Sequence, residues 1–169
     1  LADGGSTKPH VQRVLQEYAD LDPRIRVRIL GENKGISGNS NEALALASGE
    51  WIGLLDHDDE LAPYALYEVV KLLNSKRDAG CIYSDEDKID GAGRRSSPFF
   101  KPDFAPDMFL SHNYICHFSV IRRDLIDHAG GFREGYDGSQ DYDLFLRVTE
   151  LLDESEIVHI PKILYHWRI

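Results

Sequence analysis

The stretch Trp51-Ile52-Gly53-Leu54-Leu55-Asp56-His57-Asp58-Asp59-Glu60 decides the fold, because a short apolar run turns abruptly into a cluster of acids. A short apolar run that ends at a polar turn is typical of a buried strand. In open α/β sheets, ligands bind in the crevice outside the carboxyl ends of the strands. The sequence therefore predicts a buried strand over residues 50–55 that carries Asp56, Asp58 and Asp59 to a ligand-binding crevice.

The acidic cluster has two interpretations. Carboxylates that lie close together repel one another unless a cation neutralises them, and Mg²⁺ or Mn²⁺ prefers oxygen ligands of this kind. Mg²⁺ is usually held by one or two carboxylates together with substrate phosphates. The alternative is a solvated acidic turn that caps the following helix, since acids are favoured at helix N-termini. Spacing alone does not separate the two.

Length and composition predict one globular domain over residues 1–169. The chain is 42% hydrophobic and 28% charged, which is typical of folded proteins. A net charge of −10 without any basic run argues against a nucleic-acid partner. The charge does not exclude an anionic substrate, because a bound metal reverses the local field. No apolar stretch approaches the roughly 18 residues of a membrane span.

The cysteines and the first residues bear on the protein's setting. Cys81 and Cys116 have no CxxC spacing, which favours buried thiols in a reducing compartment such as the cytoplasm, with a disulfide as the alternative. No signal peptide is recognisable. The chain begins with Leu1-Ala2-Asp3-Gly4-Gly5 instead of an initiator Met, so we expect a part of a longer polypeptide with an earlier strand missing and further domains attached.

Hydrophobic periodicity and turn residues predict alternating helices and strands to about residue 84, then a mixed second half. Helices are predicted over residues 8–20, 41–47, 61–73, 123–129 and 139–152, and strands over residues 26–30, 50–55, 79–84, 115–121, 157–160 and 163–165. Residues 85–104 contain two prolines and Gly91-Ala92-Gly93, which indicates a hairpin or a mobile loop. This order predicts an α/β layered fold of Rossmann type with a mostly parallel central sheet.

Two common kinds of site are disfavoured. Gly91 and Gly93 are followed by two arginines instead of a third glycine, and no GxxxxGK[ST] motif occurs, so NAD-binding and P-loop chemistry are not expected. His112, Cys116 and His117 do not have the spacing of zinc ligands, so core or surface positions are favoured over a zinc site.

Two residues in the second half of the chain are candidates for chemistry. Asp141 lies at the start of the helix predicted over residues 139–152, with Ser139 as a plausible N-cap. It either complements the helix dipole or faces the metal crevice as a general base. His166 is either structural or a neutral imidazole ligand beside the carboxylates.

Five short motifs follow one another along the chain: Asp3-Gly4-Gly5-Ser6-Thr7, Asn33-Lys34-Gly35 with Asn41, Asp56-His57-Asp58-Asp59, Gly130-Gly131-Phe132-Arg133, and Gln140-Asp141. In this order they are similar to a DDGST-type loop, an N-x-G…N segment, a D-x-D-D signature (the DXD motif), a GGF turn and an E-D motif. Taken together they resemble the inverting, metal-dependent nucleotide-sugar glycosyltransferases of family 2, which have the GT-A fold. Each motif alone is weak, but the ordered set is specific and covers almost the whole chain.

The resemblance implies a transferase that moves a sugar from a nucleoside-diphosphate sugar to an acceptor hydroxyl on a carbohydrate or glycoconjugate. It implies that Asp141 deprotonates that hydroxyl and that Mg²⁺ or Mn²⁺ bridges the diphosphate. The donor would be bound by Asp3, Asn33, Gly35, Asn41 and Asp56, and the metal by Asp58, with Asp59 and His166 as further ligands.

The chain departs from the family pattern in three places. The first strand and helix of the GT-A fold are missing, Gly4 stands where many members carry a second acid, and Gln140 replaces the usual Glu. The missing segment motivates an alternative function as a nucleotide-sugar-binding or scaffolding module without turnover. A nucleotidyltransferase would need a Gly-rich, basic signature near its start, and none is present.

Overall fold

A computed structural model describes residues 1–169, which form two compact units. Unit 1 comprises Leu1–Gly49 and Gly130–Leu144, and unit 2 comprises Glu50–Ala129 and Phe145–Ile169. The expectation of one domain over residues 1–169 stays a prediction.

Unit 1 pairs two short strands and carries two helices of its own. Strand β1 (Ala2–Asp3) lies parallel to β2 (Arg28–Ile29), and helix α1 (Pro9–Leu21) connects them. Helix α2 (Gly35–Leu46) follows β2. The first half of helix α6 (Gln140–Thr149) completes the unit.

Helix α2 starts six residues earlier than the predicted helix over residues 41–47. Gly35 adopts a positive φ of 74° at the first position, and the carboxylate of Asp137 accepts hydrogen bonds from the free N–H groups of Ile36 and Ser37. A distant acid therefore caps the helix, and nothing in the local sequence indicates this. The helix ends at Leu46 with Ala47 as its C-cap, within one residue of the predicted end.

Unit 2 is built on a six-stranded sheet in the order β3-β7-β5-β8-β4, with β6 paired to β5. Its strands are β3 (Trp51–Gly53), β4 (Glu60–Leu61), β5 (Cys81–Ile89), β6 (Arg95–Phe99), β7 (Ser119–Arg122) and β8 (Ile157–Arg168), and its helices are α3 (Ala65–Ser75), α4 (Pro106–Phe109), α5 (Arg123–Ala129) and the second half of α6. Only β5 and β8 are parallel in this sheet. The sheet is therefore mixed, which corrects the expectation of a mostly parallel one.

Strand β3 is shorter and more exposed than the buried strand predicted over residues 50–55. It stands at one end of the strand order and pairs only with β7. Gly53 and Leu55 are exposed, so the prediction of full burial was wrong. An apolar run has the same composition in an edge strand as in a central one, and only pairing partners distinguish them.

Strand β5 continues through three acids that the prediction placed after its end, in a hairpin or a mobile loop. Asp85, Glu86 and Asp87 are all buried, and each has a cationic or imidazole partner. The Asp85 carboxylate lies 2.8 Å from Nε2 of His159, Lys101 donates to Glu86 at 2.9 Å, and Arg95 donates to Asp87 at 2.6 Å. Buried charges are tolerated when they are paired. The predicted hairpin is confirmed by the pairing of β5 with β6.

The core of unit 2 lies where α3 packs on the sheet. It contains Ala62, Ala65, Val69, Ala79, Ile82, Phe118, Val120, Val158, Ile160, Leu164 and Tyr165. Helix α3 starts after Pro63 because Glu60–Leu61 forms β4 against β8. On α6, Leu144, Phe145 and Val148 are buried, whereas Leu151 lies beyond the helix end and is exposed.

Lys101 is the most deeply buried cation of unit 2. Its side chain has no exposed surface, and its Nζ donates to Glu86 and to the carbonyls of Ile115 (3.0 Å) and His117. Burial lowers the pKa of Lys101, and the opposing charge of Glu86 counteracts part of that effect.

Lys101→Met is expected to destabilise the protein by about 3–5 kcal/mol, because it leaves Glu86 buried without its cation. Urea denaturation measures this. The exposed Lys76→Met serves as the control and should stay within about 0.5 kcal/mol of wild type. Glu86→Gln in the Lys101→Met background should restore part of the loss, and equal stability of the two single Lys variants would contradict the assignment.

Candidate functional site

Unit 2 brings three potential metal ligands together. One ligand atom from each of Asp56, Asp59 and His117 lies within 4.8 Å of the others. Asp56 and Asp59 follow β3 and are joined by a turn in which the Asp59 N–H donates to the Asp56 carbonyl. His117 lies just before β7, the strand that pairs with β3. The antiparallel pairing of β3 with β7 therefore brings residues distant in sequence to one place.

Tyr165 and Arg168 hold Asp59 in position from β8. The Tyr165 hydroxyl donates to Oδ2 of Asp59 at 2.5 Å, and the Arg168 N–H donates to Oδ1 at 2.7 Å. The Tyr165 oxygen also accepts from the Asp56 N–H at 3.2 Å. Burial raises the pKa of Tyr165, and the hydrogen bond to Asp59 raises it further, so the phenol stays protonated as a donor.

His117 is oriented by stacking. Its ring stacks on Tyr165 with centroids 4.8 Å apart, and it meets Trp167 edge-on at 6.2 Å. The backbone carbonyl of His117 accepts from Lys101. Side chains around the cluster thus fix a histidine that the sequence indicated only as part of an unmatched zinc pattern.

Asp58 and His166 lie in different surroundings from this cluster. The Asp58 side chain is 58% exposed, with Nδ1 of His57 at 3.7 Å from its carboxylate, and its carbonyl accepts from Arg168. His166 is buried, and its Nδ1 lies 2.5 Å from Oδ1 of Asp87. Asp58, Asp59 and His166 remain the metal ligands expected from the resemblance, and Asp59 belongs to both sets.

The three clustered residues fit a divalent cation. Two carboxylates and one imidazole nitrogen are ligands that Mn²⁺ accepts, and Mg²⁺ accepts the carboxylates. The Asp59 oxygens each accept one hydrogen bond and keep lone pairs for a metal. Outer contacts of this kind orient metal ligands in proteins.

In unit 1, Asp3 carries a buried oxygen without a partner. Its Oδ1 accepts from the N–H and hydroxyl of Ser6 at 3.1 and 2.6 Å, while its buried Oδ2 has no hydrogen-bond partner. A buried carboxylate oxygen without a donor costs free energy. Oδ2 of Asp3 therefore keeps an unused acceptor in the interior, and the donor-binding role expected for Asp3 stays a prediction.

The Asn33–Gly35 turn is held by its own side chains. Oδ1 of Asn33 accepts from the Gly35 N–H at 3.0 Å and from Nδ2 of Asn39 at 2.9 Å. A side chain on Gly35 would clash with Asp137, because its Cβ would lie 2.5 Å from Oδ2. The structure therefore gives Asn33 and Gly35 a role in shaping the turn, and donor contact by them stays a prediction.

Asn41 clamps the GGF turn to helix α2. Its Nδ2 donates to the Phe132 carbonyl at 2.8 Å, and its Oδ1 accepts from the Phe132 N–H at 2.9 Å. Gly131 has a φ of 72°, and a Cβ there would lie 2.8 Å from Oδ1 of Asn41. The glycine is thus required for the clamp.

A second contact ties the same segment to α2. The Asp137 carboxylate accepts from the N–H groups of Ile36 and Ser37 at 3.1 and 3.0 Å and from the Ser37 hydroxyl at 2.6 Å. The Ser37 hydroxyl and N–H are the main causes that lower the pKa of Asp137. Because the folded-state pKa lies below the ordinary value, this contact persists at neutral pH and is lost only as the pH falls through that lowered value.

Asp141 lies in the first turn of α6, directly after this anchored segment, and is half-buried. Helix α6 starts at Gln140, so Ser139 occupies the predicted N-cap position. Arg133 pairs with Asp143 through two hydrogen bonds and lies 4.6 Å from the Tyr136 ring centroid. The segment that leads to Asp141 is therefore fixed at Phe132, Arg133 and Asp137.

Asn41→Ala should lower the free energy of unfolding by about 1–3 kcal/mol, since it leaves both backbone groups of Phe132 without a partner. Chemical denaturation measures this loss. Asn74→Ala, at an exposed position of α3, is the matched control and should change stability by no more than about 0.5 kcal/mol. Equal stability of the two variants would exclude the clamp.

Comparisons with solved structures define the class of the fold. S. aureus TarS aligns over 99% of this chain and 50% of its own with a TM-score of 0.75 at 18% identity. The mannosyltransferase PcManGT from Pyrobaculum calidifontis, solved in complex with GDP-Man and Mn²⁺, aligns over 98% of this chain and 46% of its own with a TM-score of 0.66 at 17% identity. The fold is the GT-A fold, as expected.

The sequence comparisons establish the family. The model for glycosyl transferase family 2 matches residues 1–130, and the chain belongs to this family. It is 42% identical over 168 residues to the O-antigen biosynthesis protein RfbC of Myxococcus xanthus and 32% identical over 167 residues to the chondroitin synthase of Escherichia coli. These matches cover 99% and 98% of this chain, but only 13% and 24% of the two relatives. None of the helices is long and apolar enough to cross a lipid bilayer.

Proposed function

We propose that this chain transfers a sugar from a nucleoside-diphosphate sugar to an acceptor hydroxyl, with inversion and with assistance from Mg²⁺ or Mn²⁺. The observation that carries the proposal is the gathering of Asp56, Asp59 and His117 at the DXD stretch of a family 2 chain. A divalent cation bound there would neutralise the charge that develops on the leaving diphosphate.

The donor is recognised by residues of the N-terminal motifs. Asp3 contributes to nucleoside binding at the end of β1, with its Oδ1 held by Ser6. Asn33, Gly35 and Asn41 shape the neighbouring backbone, and Asp56 contributes on the ribose side. This assignment keeps the expected donor-binding set and distinguishes direct contact from support.

Asp141 acts as the general base in this proposal. Its carboxylate takes the proton of the acceptor hydroxyl, whose oxygen forms the new bond to the anomeric carbon while the bond to the diphosphate breaks. A single displacement of this kind inverts the anomeric configuration and needs no carboxylate nucleophile, in parallel with inverting glycosidases. The anchors at Phe132 and Asp137 limit the movement of the segment that carries Asp141.

The relatives suggest the biological context. One is named for O-antigen biosynthesis and another is a chondroitin synthase, so we propose a carbohydrate or glycoconjugate acceptor and a role in polysaccharide synthesis within a longer polypeptide.

Cys81 is buried and Cys116 half-buried, and neither forms a disulfide. Burial raises the pKa of Cys81 to about 12. Two reduced thiols support a cytoplasmic location.

A nucleotide-sugar screen tests the function. UDP- and GDP-linked sugars are added to the protein with Mn²⁺ or with EDTA, and the melting temperature is recorded, because a ligand that binds only the folded state raises it. We expect stabilisation by one nucleotide class with Mn²⁺ and a smaller effect with EDTA. Stabilisation without sugar release in the presence of any acceptor would favour the binding-module alternative, and no stabilisation by any donor would contradict both.

A further inference from the structure

Unit 2 contains a cavity that the proposed donor and metal residues do not account for. Its volume is about 350 Å³, at the lower end of the range of small-ligand pockets. Its lining includes the aromatic side chains Phe99, His112 and Trp167 and the polar side chains Glu86, Asp87 and Asn113. The ends of β5, β6 and β8 and the segment before β7 supply these residues.

The aromatic side of the cavity offers a surface for an apolar face. Trp167 is 44% exposed although it lies in a strand, and Phe99 meets His112 edge-on at 6.3 Å. Aromatic rings provide large contact areas at small entropic cost. A pyranose ring has a face of C–H groups that fits such a surface and hydroxyls at its rim.

The polar side is built to receive those hydroxyls. The Glu86 and Asp87 side chains are 11% and 5% exposed, and Lys101 and Arg95 neutralise their charges. Nζ of Lys88 lies 5.0 Å from the Trp167 ring centroid, so a donor stands beside the aromatic surface. Because the acids are already paired, the lining favours a neutral, hydroxyl-rich ligand over a second cation.

The cavity adjoins the proposed metal cluster. Trp167 contacts the ring of His117 at 6.2 Å, and His117 supplies one of the three clustered ligand atoms. Asp87, another lining residue, pairs with His166. A sugar in the cavity would therefore lie one side chain away from the proposed diphosphate position.

We propose that this cavity is the acceptor subsite and that it binds a neutral pyranose unit of the acceptor glycan against Trp167. This inference rests on the proposed function, because an acceptor subsite presupposes that the chain transfers a sugar. Binding of a free pyranoside to the cavity is measurable without turnover.

Saturation-transfer NMR tests the proposal with methyl pyranosides of glucose, galactose, mannose, N-acetylglucosamine and N-acetylgalactosamine. We expect transfer to at least one of them and binding weakened about tenfold or more in Trp167→Ala. Tyr67→Ala, which removes an exposed aromatic side chain from α3, is the matched control and should bind as wild type does. Trp167→Phe keeps an aromatic face and should retain most of the binding. Retained binding in this variant would show that the loss in Trp167→Ala comes from the missing ring and not from a folding defect.

Three results would overturn the proposal: no transfer to any glycoside, equal binding by Trp167→Ala, or displacement of the glycoside by UDP or GDP. The last would assign the cavity to the donor. Nucleotide stabilisation with Mn²⁺ is measured separately on the wild-type protein. If the nucleotide fails to bind while the glycoside binds at Trp167, the proposed function fails and the sugar site stands.

Discussion

Asp141→Asn is expected to lower kcat by about 10²- to 10⁴-fold, the range that general acid–base catalysis contributes. The amide cannot take the proton of the acceptor hydroxyl, but it preserves the size and the polar surface of the side chain. Affinity for the nucleoside diphosphate should stay unchanged, because the base acts on the acceptor. Sugar transfer and nucleotide binding, measured on the same preparation, separate these two effects.

The control for this experiment is Asp107→Asn. Asp107 is an exposed acid in the first turn of α4, so it has the same favourable position relative to a helix N-terminus. Its replacement should leave transfer within about twofold of wild type, the size of a surface charge effect. If Asp141→Asn behaved like Asp107→Asn, Asp141 would be only a complement to the helix dipole.

Asp59→Ala is expected to weaken Mn²⁺-dependent binding of a nucleoside diphosphate by at least about 100-fold. Mutation of a residue that only contacts a metal ligand already lowers metal affinity about 10- to 100-fold, and loss of a ligand itself should lower it at least as much. Asp59 belongs to both candidate ligand sets, which makes it the most informative position. Calorimetry with Mn²⁺ and with EDTA measures the change. Equal affinity of the wild-type protein under both conditions would contradict metal assistance.

Asp58→Ala and His117→Ala then distinguish the two sets. Asp58→Ala should abolish the metal effect if the ligands are Asp58, Asp59 and His166, whereas His117→Ala should abolish it if the cluster of Asp56, Asp59 and His117 holds the ion. Asp78→Ala, an exposed acid in a loop, should bind as wild type does. Melting curves of each variant exclude loss of fold, because Asp59 also contacts Tyr165 and Arg168.

The sequence predicted best where local periodicity governs the structure. Helix α5 has the predicted bounds, and α1 and α6 lie within three residues of theirs. Where partners distant in the chain decide, the prediction failed. The Asp137 carboxylate caps the start of α2 although it lies a hundred residues away in the chain. Strand β5 continues through Glu86 and Asp87 because Lys101 and Arg95 pair with these acids.

The site shows the same division. The sequence indicated Asp56 and Asp59, and the structure adds His117, Tyr165 and Arg168 around them. His117 was visible only in a zinc pattern that did not match, and Tyr165 and Arg168 had no signal. The unpartnered oxygen of Asp3 is likewise a property of packing that composition does not reveal.

The amino-acid sequence by itself determined the family, the helices α1, α5 and α6 and the acidic stretch, because these depend on residue types at short spacings. Only the tertiary structure decided that the sheet is mixed, that three acids of β5 are buried and paired, and that an aromatic cavity adjoins His117. The physical reason is that strand pairing and charge compensation join residues far apart in the chain, and the free energy of each depends on its partner.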